Sequence, residues 1–220
     1  MKILALEFSS TQRSVAVLTD GFVRGRAMQP GGRTTHAFHL IERALAEAQL
    51  EREQIECLAI GLGPGSYTGI RAAIALAQGW QLARDIRILG LSSVECLAAE
   101  AQTRKCFGKI NIVIDAQRKE FYLAGYEVSE TVRREVERLR VASWGEVEAG
   151  MNAGEMVVGP EVSRWFPAGR EIFPSAAALG QLAVNRTEYV SGERLEPIYL
   201  RETQFVKAAP LRVIPSIPHP

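Results

Sequence analysis

"ILALEFSSTQRSVAV", residues 3–17, is an apolar run of strand type that stops at an acid, Glu7, passes through a polar turn and resumes as a second alternating run. "NIVIDAQRKEFYLAG", residues 111–125, has the same build at an offset of 108, from residue 3 to residue 111. At that offset Glu7 meets Asp115, and Arg13–Val17 meets Phe121–Gly125. Two unrelated hairpins would give this likeness by coincidence. A duplicated unit would instead set one carboxylate at equivalent points of two halves facing a central cleft. The second reading predicts an α/β protein of two similar halves, 1–104 and 105–200. A tail follows at 201–220, where "APLRVIPSIPHP" holds four of the ten prolines and is expected to lie outside the core.

Outward from these hairpins the pattern stays mixed. Asp20-Gly21 is a hairpin turn into a third strand, "FVRGRAM". "GGRTT" (31–35) reads as a loop with Thr34 or Thr35 capping the next helix. Ala37, Leu40, Ile41, Ala44, Leu45 and Ala48 recur at helical spacing. A buried strand at 55–61, a helix at 69–84, a strand at 86–91 and a helix near 92–103 complete the first half. "TVRREVERLR" (131–140) reads as a solvated strand or helix face, or as a basic contact surface. Duplicated hairpin-and-helix halves with two facing acids resemble the actin-like, sugar-kinase and Hsp70 ATPase (ASKHA, RNase H-like) superfamily.

Bulk composition excludes several classes. A net charge of +1 gives no general pull toward nucleic acid or membrane. No apolar stretch approaches the roughly 18 residues that span a bilayer. The N-terminus, with a single Lys and an early Glu7, does not read as a signal peptide. Cys57, Cys96 and Cys106 are odd in number and lack CxxC spacing, so reduced thiols in a cytoplasmic protein are expected.

"GLGPGSYTGIRAAIALAQGW" (61–80) imitates a phosphate loop but lacks its chemistry. A P-loop needs a Lys to neutralise the outer phosphates, and none follows these glycines. A dinucleotide fingerprint needs a third glycine where Ser66 stands, and a place after the first strand. A strand-to-helix turn remains, with Gly63 and Gly65 free to take positive φ and Thr68 as N-cap. Beyond it Ala72, Ala75, Leu76, Gly79 and Ala83 form a stripe of mostly small residues that admits another helix closely. That neighbour is either in the same domain or on another subunit, with Tyr67, Arg71 and Trp80 as anchors in the second case. His36 and His39 share a helix face, but no third ligand completes a metal site. Ser9, Ser10 and Thr11 could contact a phosphate, although their turn has no glycine to let one approach. A Ser-His-Asp arrangement is unsupported, since the third histidine, His219, sits in the tail.

"LALEFSSTQRSVAVL", "GLGPGSYTGIRAAIALAQGW", "IDAQRKEFYLAGY" and "EPIYLR" (196–201) resemble, in order and spacing, the TsaB (YeaZ) family of bacteria. The resemblance covers residues 1–201, and the GPGSYTGIR stretch is its most specific part. It implies an actin-like duplicated fold without the catalytic equipment of the paralogue TsaD, which holds the metal-binding histidines. It also implies a non-catalytic scaffold for a TsaD-like subunit, joined by a TsaE-like ATPase. Together these form threonylcarbamoyladenosine (t6A) at position 37 of tRNAs reading ANN codons. The isolated chain is expected to be a homodimer that meets tRNA only through the complex, has no membrane contact and carries no cofactor. ATP or ADP at the interface shared with the partner is compatible with the resemblance. Carried over by position, the pairing surface is Gly63, Pro64, Gly65, Ser66, Tyr67, Thr68, Gly69, Arg71, Ala72, Ala75 and Gly79. Glu7, Ser9 and Asp115 are the vestigial nucleotide positions. The chain departs from the family at Glu7, where an Asp is usual, and at Lys119, where a Gly is usual. The rival reading is a small ASKHA ATPase or phosphotransferase placing Mg²⁺ with Glu7 and Asp115. A third is a free-standing homodimer with another binding role.

Overall fold

The computed structural model describes residues 1–30 and 36–200. β1 (Lys2–Glu7) and β2 (Arg13–Thr19) pair antiparallel, Leu4 opposite Val17 and Leu6 opposite Val15. Both strands are buried along most of their length, because β1 lies mid-sheet with layers on both faces. β3 (Phe22–Gln29) closes one edge, and β4 (Cys57–Gly61) and β5 (Arg87–Leu91) extend the sheet in parallel, in the order β3-β2-β1-β4-β5. The second sheet repeats this plan. β6 (Gly108–Asp115) is central, β7 (Glu120–Val128) and β8 (Arg133–Ser143) run antiparallel on one side, and β9 (Met156–Gly159) and β10 (Arg170–Glu171) lie parallel on the other.

The duplication is therefore visible in topology, with one correction to the alignment of the hairpins. Glu7 faces Ser14, whereas Asp115 faces Phe121, so the second turn is one residue shorter and Arg13 corresponds to Glu120. The shorter turn puts three consecutive side-chain-bearing residues at positive φ: Gln117 (68°), Arg118 (58°) and Lys119 (63°). Left-handed backbone costs a residue with a Cβ about 1–2 kcal/mol, and glycine nothing comparable. A lysine at 119 therefore sits in a backbone conformation that a glycine would adopt without this cost. The turn is held by Gln117 N donating to Asp115 Oδ1 (2.7 Å) and Ala116 N to the Glu120 carbonyl (3.0 Å).

Helices fill the layers. α1 (Ala37–Ala48) and α2 (Tyr67–Ala83) cover one face of the first sheet, burying Leu40, Ile41, Ile70, Ala73 and Ile74 against Leu4, Leu6, Leu58 and Ile60. Gly25 lets α1 close on β3, since a Cβ there would overlap the Ala44 carbonyl. α3 (Ser93–Thr103) and α5 (Ala176–Ala183) lie between the sheets, and α4 (Trp144–Asn152) covers the far face of the second.

The two sheets lie on either side of the expected boundary between 1–104 and 105–200, while some helices and the segment 184–200 pack across it. α5 lies on β1, β2 and β4 of the first sheet, while Val94, Leu97 and Ala98 of α3 belong to the core of the second. The strap 184–200 also returns to the first half: Val190 N donates to the Ile88 carbonyl, Ile198 N to that of Leu62, and Leu195 is buried beside α2. The tail 201–220 and the expected Thr34/Thr35 cap fall outside the described residues; α1 starts after His36. Most of the 131–140 stretch lies in the edge strand β8, where Arg134 pairs with Glu127 and Arg140 with Glu137 and Glu146. Among the described residues no helix is long and apolar enough to cross a membrane.

Candidate partner-binding face and the closed carboxylate

β1 ends at Glu7, which is fully buried. Its Oε1 accepts from Ser9 N (2.8 Å) and its Oε2 from Ser93 Oγ (2.9 Å). Asp115 ends β6 and likewise accepts from the amide two residues on, so each carboxylate closes the turn of its own hairpin. Gly61 lies against Glu7 so tightly that a Cβ there would overlap the carboxyl group. Burial pushes the Glu7 pKa up, opposed by the hydrogen bonds from Ser9 and Ser93 and by the charge of Arg13. A folded value above the unfolded one makes this group's contribution fully favourable only below about 4.5, and it is lost as pH rises through the folded pKa. Glu7→Gln is expected to remove that slope, read from melting temperatures measured between pH 4 and pH 8.

This geometry does not fit Mg²⁺ or a nucleotide phosphate. Both Glu7 oxygens are in use, and the space beside them is filled by Gly61 and Ser93. The Ser9 carbonyl faces the glycine loop, accepting from Ser66 N (2.6 Å) and packing on Gly65, where a Cβ would overlap it. Ser9 therefore offers its backbone to the chain itself. No group of three or more His, Cys, Asp or Glu among the described residues could hold a metal ion.

The loop is a tight entry to α2. Gly63 and Gly65 have φ of 85° and 146°, values that favour glycine. The N-cap is Ser66, not Thr68: Ser66 Oγ accepts from Gly69 N and from Arg13 Nη2 (2.9 Å), while Thr68 is exposed in the first turn. Gly69 faces inward, where a Cβ would overlap the Phe8 carbonyl and the Arg13 guanidinium. Gly63, Pro64 and Gly69 are thus buried and shape the surface without forming it.

The surface is the other side of α2. Ala75, Gly79 and Ala83 are exposed, and Ala72, Leu76 and Trp80 half-buried. The helix's own core face is Gly69, Ile70, Ala73, Ile74 and Ala77, so the stripe of small residues does not serve packing within the domain. A Cβ on Gly79 would meet nothing within 4 Å. Between α1 and α2 runs a groove of about 420 Å³ floored by Ile41, Leu76 and Trp80 and rimmed by Phe38, which is 65% exposed. It continues into a second depression bordered by His36, His39 and Ala72. At the start of α2, Tyr67 stacks on Tyr199 of the strap (5.9 Å), and Arg71 lies over Tyr67 (4.2 Å) while its Nε donates to Tyr199 Oη (3.2 Å). The groove is apolar at its floor and bordered by Phe38 and by charged side chains of both signs, Arg52, Glu53 and Arg84.

Comparison with known proteins identifies the lineage. A family model described as "TsaD: tRNA N6-adenosine threonylcarbamoyltransferase" matches residues 34–183. The tRNA threonylcarbamoyladenosine biosynthesis protein TsaB of Escherichia coli K12 is 28% identical, over 96% of this chain and 99% of its own. The chain belongs to the TsaB (YeaZ) family. TsaB of Bacillus subtilis is 27% identical over 67% of this chain and 66% of its own. The crystal structure titled YeaZ from Pseudomonas aeruginosa superposes with a TM-score of 0.77 at 25% identity, over 90% of this chain and 99% of that one. The fold is accordingly the duplicated actin-like fold of that family. Arg13 and Ser93, which brace the loop and the Glu7 carboxyl, carried no sequence signal. A serine at a helix start reads only as a cap, and an arginine after a polar turn only as surface.

Proposed function

We propose that this TsaB-family chain is a non-catalytic subunit in the formation of t6A at position 37 of tRNAs reading ANN codons. It presents the α1–α2 groove to a TsaD-type transferase, with a TsaE-type ATPase joining the pair. The groove's exposed small-residue stripe carries the reading, since Ala75 and Gly79 have no packing role in their own chain. The t6A names of the relatives supply the pathway. The reading extends to a homodimer through the same exposed face when the chain is alone, to a place in the cytoplasm, and to tRNA reached through the complex. The closed Glu7 site favours a scaffold over an ATPase that would use Glu7 and Asp115. Any ATP or ADP is placed at the interface with the partner.

Reconstitution tests this. TsaD- and TsaE-type subunits of the same organism are expected to modify tRNA only with this chain present, and the chain alone to do no modification. Micromolar Mg·ATP binding by the isolated chain, lost in Asp115→Ala, would contradict it. A second variant separates packing from docking. Gly79→Ala fills no space within the chain and improves helix propensity, so the monomer should gain about 0.5–1 kcal/mol in denaturant unfolding. The same methyl group narrows the approach of a partner helix, and association should weaken.

A further inference from the structure

Glu7 is braced on both sides of the glycine loop, and the two arms meet where α2 begins. On one side its Oε2 accepts from Ser93 Oγ, and Ser93 Oγ accepts from Gly63 N (3.1 Å) while Ser93 N donates to the Gly63 carbonyl (2.9 Å). On the other side its Oε1 accepts from Ser9 N, and the Ser9 carbonyl accepts from Ser66 N. Ser66 is the N-cap of α2, and its hydroxyl takes a further hydrogen bond from Arg13. One buried carboxyl group thereby fixes both ends of Gly63–Ser66, and with them the position of the helix carrying Tyr67, Arg71, Ala75 and Gly79.

We infer that Glu7 is a positioning residue for partner docking: with Ser93 it sets the placement of α2 from inside the chain. The inference rests on the proposed role of the α1–α2 face. The chemistry is specific to a carboxyl group, whose two oxygens each take one of the two arms. A glutamine can keep its oxygen on Ser9 N, but its amide then faces Ser93 Oγ as a second donor beside Gly63 N, and the Ser93 hydroxyl hydrogen loses the oxygen it donates to. The Ser93 arm is reversed in direction and leaves the Ser93 hydroxyl hydrogen without its acceptor, while the Ser9 arm is kept. Ser93→Ala breaks the same arm from its other end, leaving Gly63 N without its acceptor. Neither substitution touches the exposed face, so any effect on docking must pass through the loop.

The test uses the full chain and the purified TsaD-type subunit of the same organism, with affinity measured by calorimetry. Glu7→Gln and Ser93→Ala are each expected to weaken binding about tenfold, and the double variant no further, because both cut one arm. Amide exchange at residues 63–72 should quicken in both, while exchange in β6 and β7 stays as in the unmodified chain. A merely structural role would lower the melting temperature without this local signature. Unchanged affinity and exchange in folded Glu7→Gln and Ser93→Ala overturn the inference. Should Glu7→Gln fail to fold, Ser93→Ala, which leaves the carboxyl group in place, carries the same test; failure of both to fold also overturns it. Ala75→Arg, measured in parallel, reports on the underlying reading alone: if it binds normally, the face itself is misassigned.

Discussion

Ala75→Arg is expected to abolish docking while leaving the chain folded. Ala75 is exposed in mid-helix on the stripe of small residues, and arginine is a good helix former. The circular dichroism spectrum and melting temperature should therefore match the unmodified chain. Against a partner helix packed on that stripe, a long cationic side chain leaves either a steric overlap or a buried unpaired charge. Affinity for the TsaD-type subunit should fall by about a hundredfold or more, about 2.8 kcal/mol at about 1.4 kcal/mol per decade. Self-association should fall with it in sedimentation velocity. A folded variant that still binds would remove α2 from the interface.

The largest effect on stability is expected at Gly65. Its φ of 146° favours glycine, and a Cβ would also overlap the Ser9 carbonyl, the acceptor that holds Ser66 N. Backbone strain of about 1–3 kcal/mol and overpacking of about 1–3 kcal/mol both apply to Gly65→Ala. A loss of about 3 kcal/mol or more is expected in urea unfolding. Unlike Ala75→Arg, this variant should lose stability and docking together, since the overlap displaces the β1–β2 turn and the start of α2 as one unit. A loss below about 1 kcal/mol would mean that the loop and turn are not braced against each other.

The strands were legible because their signals are local. The apolar run 2–7 follows from burial on two faces of one sheet, 13–19 proves continuously buried from Ser14 to Leu18 where alternation suggests one wet face, and the repeat at 111–125 carried the duplication. The stripe on α2 was legible as a stripe, but sequence alone could not tell which side of the helix faced the sheet. Ile70, Ala73, Ile74 and Ala77 take that side because they are contiguous with the buried Gly69, and the small residues are left outward. Three features were out of reach for a common reason: each depends on contacts distant in sequence. Ser66, the N-cap in place of Thr68, has its hydroxyl held by Arg13, 53 positions away. Ser93 meets Glu7 from 86 positions away. α5 returns to the first sheet through Gly180, which packs on Leu18, and Ser14, whose hydroxyl accepts from Ala176 N (2.9 Å). The one-residue shortening of the second hairpin was hidden as well, since an apolar strand aligned one residue out of register still reads as a strand.

Hydrogen–deuterium exchange of the chain with and without its TsaD-type partner tests docking through the α1–α2 face most directly. Protection on complex formation should be confined to α1 (Ala37–Ala48), the glycine loop and α2 (Tyr67–Ala83), with Phe38 and Gly79 inside the protected segments. The second sheet, including the exposed edge strand β8 (Arg133–Ser143), should exchange as in the free chain. Protection centred on β8 or on the 116–120 turn, with α1 and α2 unchanged, would contradict the assignment of the docking face.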